Sequence, residues 1–388
     1  MMQRQPSRAR AAPAILFVLL AACRGPDSSP DESSPAQGGA GAGGGPHDGA
    51  AGRGGEDGLD GEGGPGVAQS GGAGLGPVAP DLVLSPCSAP VAPVLPTIHA
   101  GAVLAFVAPP QTELEVAWEQ PPTGAAPEQW RAQSSVALAE LGVPAEVSVF
   151  ARALGGGCET RPSFERDYSI RPAYPGPAGQ PGSTAIAGDD SRFVGWATGF
   201  VEPVEYGGEV LDTWRTPELA LGPAGTEATD VVSVGNGGRI TLTFDPPIAD
   251  GAGPDLVVFE NGHNDTFLEL AFVEVSSDGE HFARFDSAYL GDQPVEQYGA
   301  HDTSQFEGLA GKYRVGFGGP FDLSHLRYRP AVQEGVVDLS RITHVRIVDI
   351  IGDGDARDSF GHPIYDPTPT TSSGGFDLDA IGVLNVAD

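Results

Sequence analysis

The feature that most constrains the fold of this chain is a series of strand-length apolar runs separated by turn chemistry, with no stretch of convincing helical period. The runs are Arg239 to Phe244, Asp255 to Glu260, Leu268 to Val275, His281 to Phe285, Thr343 to Asp349 and Phe376 to Leu384. Gly235-Asn236-Gly237-Gly238, Asp250-Gly251 and Ser277-Asp278-Gly279 punctuate them, residues that supply positive φ or close an Asx turn. Strands at this spacing without intervening helices predict an all-β chain, with an antiparallel sandwich or jelly roll over residues 193–388. Side chains alternate across a strand, so Leu270, Phe272 and Glu274 should share one face and Ala271, Val273 and Val275 the other.

Upstream, residues 81–160 carry shorter runs (Val103 to Val107, Leu114 to Trp118, Val136 to Ala139, Val147 to Ala151) and read as a small Ig-like β module. Ser134 to Leu141 is the main local alternative, as a helix. Trp118 and Trp130 are expected in its core. Cys87 and Cys158 flank the module, and an exported compartment would let them form a disulfide. Residues 161–192 hold five prolines with interspersed glycine and read as a connector.

Residues 23–80 are Gly, Ala, Pro, Ser and Asp with almost no large apolar side chain, too little to offset ordering entropy, and are expected to be a flexible tether. Before it, Arg4, Arg8 and Arg10 precede the apolar run Ala11 to Ala22, which ends at Cys23. That order reads as a signal peptide over residues 1–22. A cysteine at the cut resembles the lipobox of bacterial lipoproteins, so Cys23 is the expected lipidation site. The lipid would be the membrane partner, placing the protein in the cell envelope, at the outer membrane or cell surface. The chain ends at Asp388 without an apolar sorting tail, consistent with anchoring through Cys23. The net charge of −31, from 52 Asp and Glu against 21 Lys and Arg, argues against nucleic acid as a partner, because reading phosphates needs a basic face.

Several groups of residues could carry chemistry. Asp349, Asp353, Asp355 and Asp358 leave a strand in a Gly-containing acidic loop, and Asp377 and Asp379 follow at i and i+2 of the last strand. Closely spaced carboxylates with tight-turn glycines suit Ca²⁺, although the spacing is not that of an EF-hand. Glu274 would sit in an apolar layer and need a partner, either a ligand or an arginine such as Arg284. Glu260 and Asn261 end a strand as ligand contacts or as turn formers. Trp196, Trp214 and Tyr365 offer stacking faces to sugars, or core packing. The chain lacks the Gly-x-Ser-x-Gly elbow, the His-Glu-x-x-His zinc motif and the phosphate-cradling Gly-x-x-x-x-Gly-Lys, and its histidines are scattered singly.

Phe259-Glu260-Asn261, then the runs Glu269 to Gly279, Gly308 to Tyr313, Pro320 to Leu323, Asp358-Ser359, Pro363 to Pro367 and Gly375 to Leu384, occur in that order. The set resembles a family of exported bacterial cell-surface proteins. The resemblance implies surface location and a β domain, and brings no catalytic residues. The Ser-Ser-Asp-Gly hairpin and the closing Phe-Asp-Leu-Asp strand are also similar to discoidin-like, galactose-binding sandwiches, which imply a structural Ca²⁺ and glycan binding through loops. The resulting expectation is a lipid-anchored, Ca²⁺-stabilised, non-catalytic module that binds a glycan or other surface ligand. The alternatives are an exported metal- or carboxylate-dependent hydrolase on a β-sandwich and a purely structural envelope protein.

Overall fold

The computed structural model describes residues 82–120, 127 and 129–387. The signal, Cys23 and the whole of the tether lie outside them. The architecture is almost entirely β, built from several sheets.

Among the described residues, two larger sheets form a sandwich. One has the order Gly199–Phe200, Arg239–Ile248, Ile342–Asp349, Ala271–Ser276, Ala283–Arg284, with antiparallel pairing throughout. The other has the order Val232–Ser233, Asp377–Val383, Leu256–Glu260, Phe317–Phe321, Ile186–Ala187, also antiparallel, with Gly195–Trp196 added along Asp377–Val383. Alternation explains the shared core. Ile240, Leu242, Val273, Val275, Val345 and Ile347 from the first sheet meet Leu256, Val258, Ile381 and Val383 from the second, all buried. The outer faces are covered as well. Leu268, Leu270 and Phe272 pack with Ile350 and Ile364 on one side, and Val257 and Phe259 pack with Ile186 and Ala380 on the other. Both sheets therefore read as nearly continuous apolar runs.

The N-terminal part is a sheet in the order Thr97–His99, Phe164–Arg171, Ala145–Gly155, Thr112–Glu119, Arg131–Ala132, with a small ladder between Val103–Ala105 and Ser135–Ala137. The segment expected to be connector thus supplies a strand. Phe164, Tyr168 and Ile170 alternate into the core of this sheet, a period that the surrounding prolines obscure in the sequence. The helix alternative reduces to one 3₁₀ turn at Leu138–Leu141, following the short strand Ser135–Ala137. Cys87 and Cys158 are joined by a disulfide. Arg161 braces that corner, donating to the carbonyls of Pro86 and Ala153.

The N-terminal sheet and the sandwich belong to one contact unit. The Tyr328 hydroxyl donates to the Glu165 carbonyl, and its ring lies 4.4 Å from that of Phe164. Val94 N–H donates to Asp286, which Arg329 also neutralises.

Candidate functional site: an acidic pocket at one end of the sandwich

Antiparallel pairing brings strand starts and strand ends together at one end of the sandwich. Ala271 lies opposite Asp349, Glu260 opposite Leu378, and Ser233 opposite Asp377. Glu260, Glu269, Asp349 and Asp377 therefore arrive at the same end, and the loop after Pro363–Tyr365 adds Asp366. All five are buried. Glycine permits the close fit behind them. Gly375, at φ 76°, has a backbone that a Cβ would bring within 2.5 Å of the Gly235 backbone.

Each carboxyl has local donors. Asp349 accepts from Gly237 N–H and Phe376 N–H, both at 2.7 Å. Asp366 accepts from Leu270 N–H and meets His301 Nε2 at 3.0 Å. Glu260 accepts from Gly262 N–H at 2.9 Å. Asp377 Oδ2 accepts from Asn261 Nδ2 at 3.0 Å, and the Ser233 hydroxyl faces the same carboxyl from the paired strand. Among the described residues no lysine or arginine pairs with any of the five. His301 brings no charge, because burial lowers its pKa to about 4.

Uncompensated burial has a direct electrostatic result, since it disfavours the charged form of each carboxyl. Burial pushes Asp349 up to about 6, against the two backbone donors that favour its ionised form. Burial pushes Asp377 to about 7, against Ser233 and Asn261. Glu269 is raised well above the usual range by burial and then by the charges of Asp377, Asp366 and Asp349. Glu260 and Asp366 are raised well above it too, again with burial as the largest cause.

Glu269 and Asp377 line a cavity of about 310 Å³ together with Trp214, Asn261, His263, Phe267, Tyr298, Thr370 and Ser373. Trp214 is steadied by Ser372, and Phe267 and Tyr298 pair with ring centroids 5.9 Å apart. Two larger clefts, of about 450 and 410 Å³, lie between the N-terminal segment and the sandwich. Asp286 lines both, and its carboxylate is already used by Val94 and Arg329. We take those clefts as joints and the acidic pocket as the chemical site.

Of the residues read from the sequence, Asn261, Asp377 and Trp214 line this pocket, and Glu260 and Asp349 stand in the acidic layer. The rest go elsewhere. Asp353 and Asp355, expected in a loop, lie exposed on the short strand Asp353–Arg357 that pairs with Pro363–Tyr365, with Asp353 accepting the Asp355 N–H. Asp358 is consumed by the N–H groups of Tyr289, Phe360 and His362. Asp379 accepts from Gly225 N–H, beside a register shift between Phe259 and Glu260 of the paired strand. Glu274 is held by Arg284 at 2.7 Å and Arg346 at 3.2 Å. Trp196 packs against Phe193 and Phe259, and Tyr365 covers Gly354.

A different acidic group converges in another place. Carboxylate oxygens of Asp250, Asp255 and Asp322 lie within 4.8 Å of one another, an arrangement that can hold a metal ion. Asp255 there already accepts from Gly251 N–H, Leu323 N–H and Asn385 Nδ2, and burial raises it to about 6.

Sequence reasoning overlooked Glu269, Asp366, Phe267 and Tyr298. The signal for Glu269 was present, since it shares the inward parity of Ala271 and Val273, where an acid is out of place. No protein-family model matches the chain, and no curated protein matches it significantly.

Proposed function

We propose that this chain is an exported, lipid-anchored envelope protein whose acidic pocket hydrolyses glycosidic bonds, with Glu269 as proton donor and Asp377 as its carboxylate partner. The observation carrying this reading is that two buried carboxyls with raised pKa values line one cavity beneath an aromatic rim. Glycoside hydrolysis uses such a pair, one carboxyl protonated to release the leaving oxygen and one ionised to assist attack at the sugar carbon. Unequal environments divide the roles. Glu269, raised well above the usual carboxyl range, takes the proton-donor role, and Asp377 is ionised above about 7. Trp214, Phe267 and Tyr298 offer apolar faces to a sugar ring, and Thr370 and Ser373 offer hydroxyls.

The test is release of reducing ends from a panel of oligosaccharides by the full-length protein and by Asp377→Asn. Turnover by the parent and none by the variant supports the reading, and no turnover on any glycan removes it. The aromatic rim favours a second reading, a non-catalytic glycan-binding module using the same pocket, which predicts saturable binding without cleavage. Export is tested through Cys23→Ser, which should release the folded protein from membranes.

Calcium is assigned to Asp250, Asp255 and Asp322 as a stabilising ion. An all-oxygen donor set suits a hard cation. Asp255 would have to share oxygens that already accept hydrogen bonds.

A further inference from the structure

We infer that the cleft of about 450 Å³ between the N-terminal segment and the sandwich binds a small organic oxyanion with an apolar body, its charged head held by Arg284, Arg329 and Arg357. This cleft shares no lining residue with the acidic pocket, and the inference does not rest on the glycosidase reading. Basic side chains are scarce in this chain, 21 Lys and Arg against 52 Asp and Glu, yet three arginines line this one cleft. The two carboxylates on its wall are already committed. Asp286 accepts from Val94 N–H at 2.9 Å and from Arg329 Nη2 at 2.5 Å. Asp358 accepts from the N–H groups of Tyr289, Phe360 and His362. Glu274, outside the lining, is shared by Arg284 and Arg346. Four arginines therefore meet three carboxylates, which leaves one positive charge in excess within a chain of net charge −31.

The three guanidinium groups are held differently. Arg284 spends Nε and Nη2 on Glu274 and lies over the Phe272 ring at 4.2 Å, so its planar group is fixed while the side chain stays 44 % exposed. Arg329 is fixed by Asp286. Arg357 is exposed, and among the described residues no hydrogen bond and no carboxylate within 4.0 Å engages its guanidinium. A guanidinium carries five N–H donors in a planar fork that matches an oxyanion, so one ion pair each on Arg284 and Arg329 leaves donors for a ligand. Val91, Pro93, Phe282 and Pro330 supply apolar wall. Such side chains pack against a hydrocarbon or ring body and offer nothing to a bare inorganic anion. The same arginines repel a cationic ligand.

The test is calorimetric titration of the full-length protein with hexanoate, hexyl phosphate, hexanol and acetate. The expected result is saturable binding of at least one of the two six-carbon anions, about tenfold or more tighter than hexanol and than acetate. The order of the two anions tells a carboxylate head from a phosphate head, and either order upholds the inference. Arg357→Gln, at an exposed position, should melt as the parent does and weaken binding of that anion by about tenfold, with hexanol unchanged. Binding of neither six-carbon anion, hexanol or acetate binding as tightly as the anion, or an Arg357→Gln variant that binds as the parent does overturns it. None of these readouts involves glycoside turnover, so failure here leaves the glycosidase reading intact, and failure of that reading leaves this one intact.

Discussion

Asn261 Nδ2 donates to Asp377 Oδ2 at 3.0 Å, a bond joining residues 116 apart in the chain. It fixes the Asp377 carboxyl on the cavity wall from a loop that follows a different strand. The same Asn261 amide donates to the Ala228 carbonyl at 2.7 Å, tying a third segment to the site. The pocket is therefore held by the ends of strands and the loops they carry, which is the precision that catalytic geometry requires.

Stability should fall as pH rises through neutrality. Asp349 and Asp379 titrate at about 6 and Asp377 at about 7 in the folded protein, against about 4 for an unfolded carboxyl. Between those values the folded state binds more protons than the unfolded state, so stability is present at the acid side and lost as pH climbs through 6 to 7. His301 and His325, lowered to about 4, act oppositely between about 4 and 6.5, but they are two groups against a larger set of raised carboxyls. Thermal melts should give a higher Tm at pH 5 than at pH 8. A higher Tm at pH 8 would mean that the acidic layer is neutralised by something other than protons.

Glu274 should prove structural. Glu274→Gln is expected to cost about 1–3 kcal/mol in denaturant unfolding, since it leaves Arg284 and Arg346 without their buried carboxylate. Turnover per folded molecule should not change. A folded variant that has lost turnover would place Glu274 in the site.

Removing an aromatic face should weaken substrate binding more than it slows chemistry. Trp214→Ala is expected to raise KM by about 3–10-fold, from loss of a stacking contact. Unchanged KM would separate the rim from the ligand.

Added Ca²⁺ should raise Tm in the parent and not in Asp250→Asn, where the most exposed member of the converging triad has lost its charge. Identical melts with Ca²⁺ and with EDTA would remove the ion from the account.

Much of the sandwich was legible in the sequence because its strands are apolar and bounded by turn residues. Arg239 to Phe244 appears within Arg239–Ile248, Thr343 to Asp349 within Ile342–Asp349, and Phe376 to Leu384 contains Asp377–Val383. Phe164–Arg171 was hidden because its outward residues are charged and prolines crowd both sides. The acidic site was only half legible. Local spacing pointed to Asp353 and Asp355, yet those side chains face solvent, because proximity in sequence does not make oxygens converge. The carboxyls that do gather come from five separated segments, and only the pairing of strand ends brings them together.

The most direct measurement is the pH dependence of glycoside turnover by the parent, Glu269→Gln and Asp377→Asn, each confirmed folded by its melt. The parent rate should rise through about pH 7 as Asp377 ionises, and both variants should lose about 100-fold or more. A parent that cleaves no glycoside, or a Glu269→Gln variant as active as the parent, would contradict the glycosidase reading.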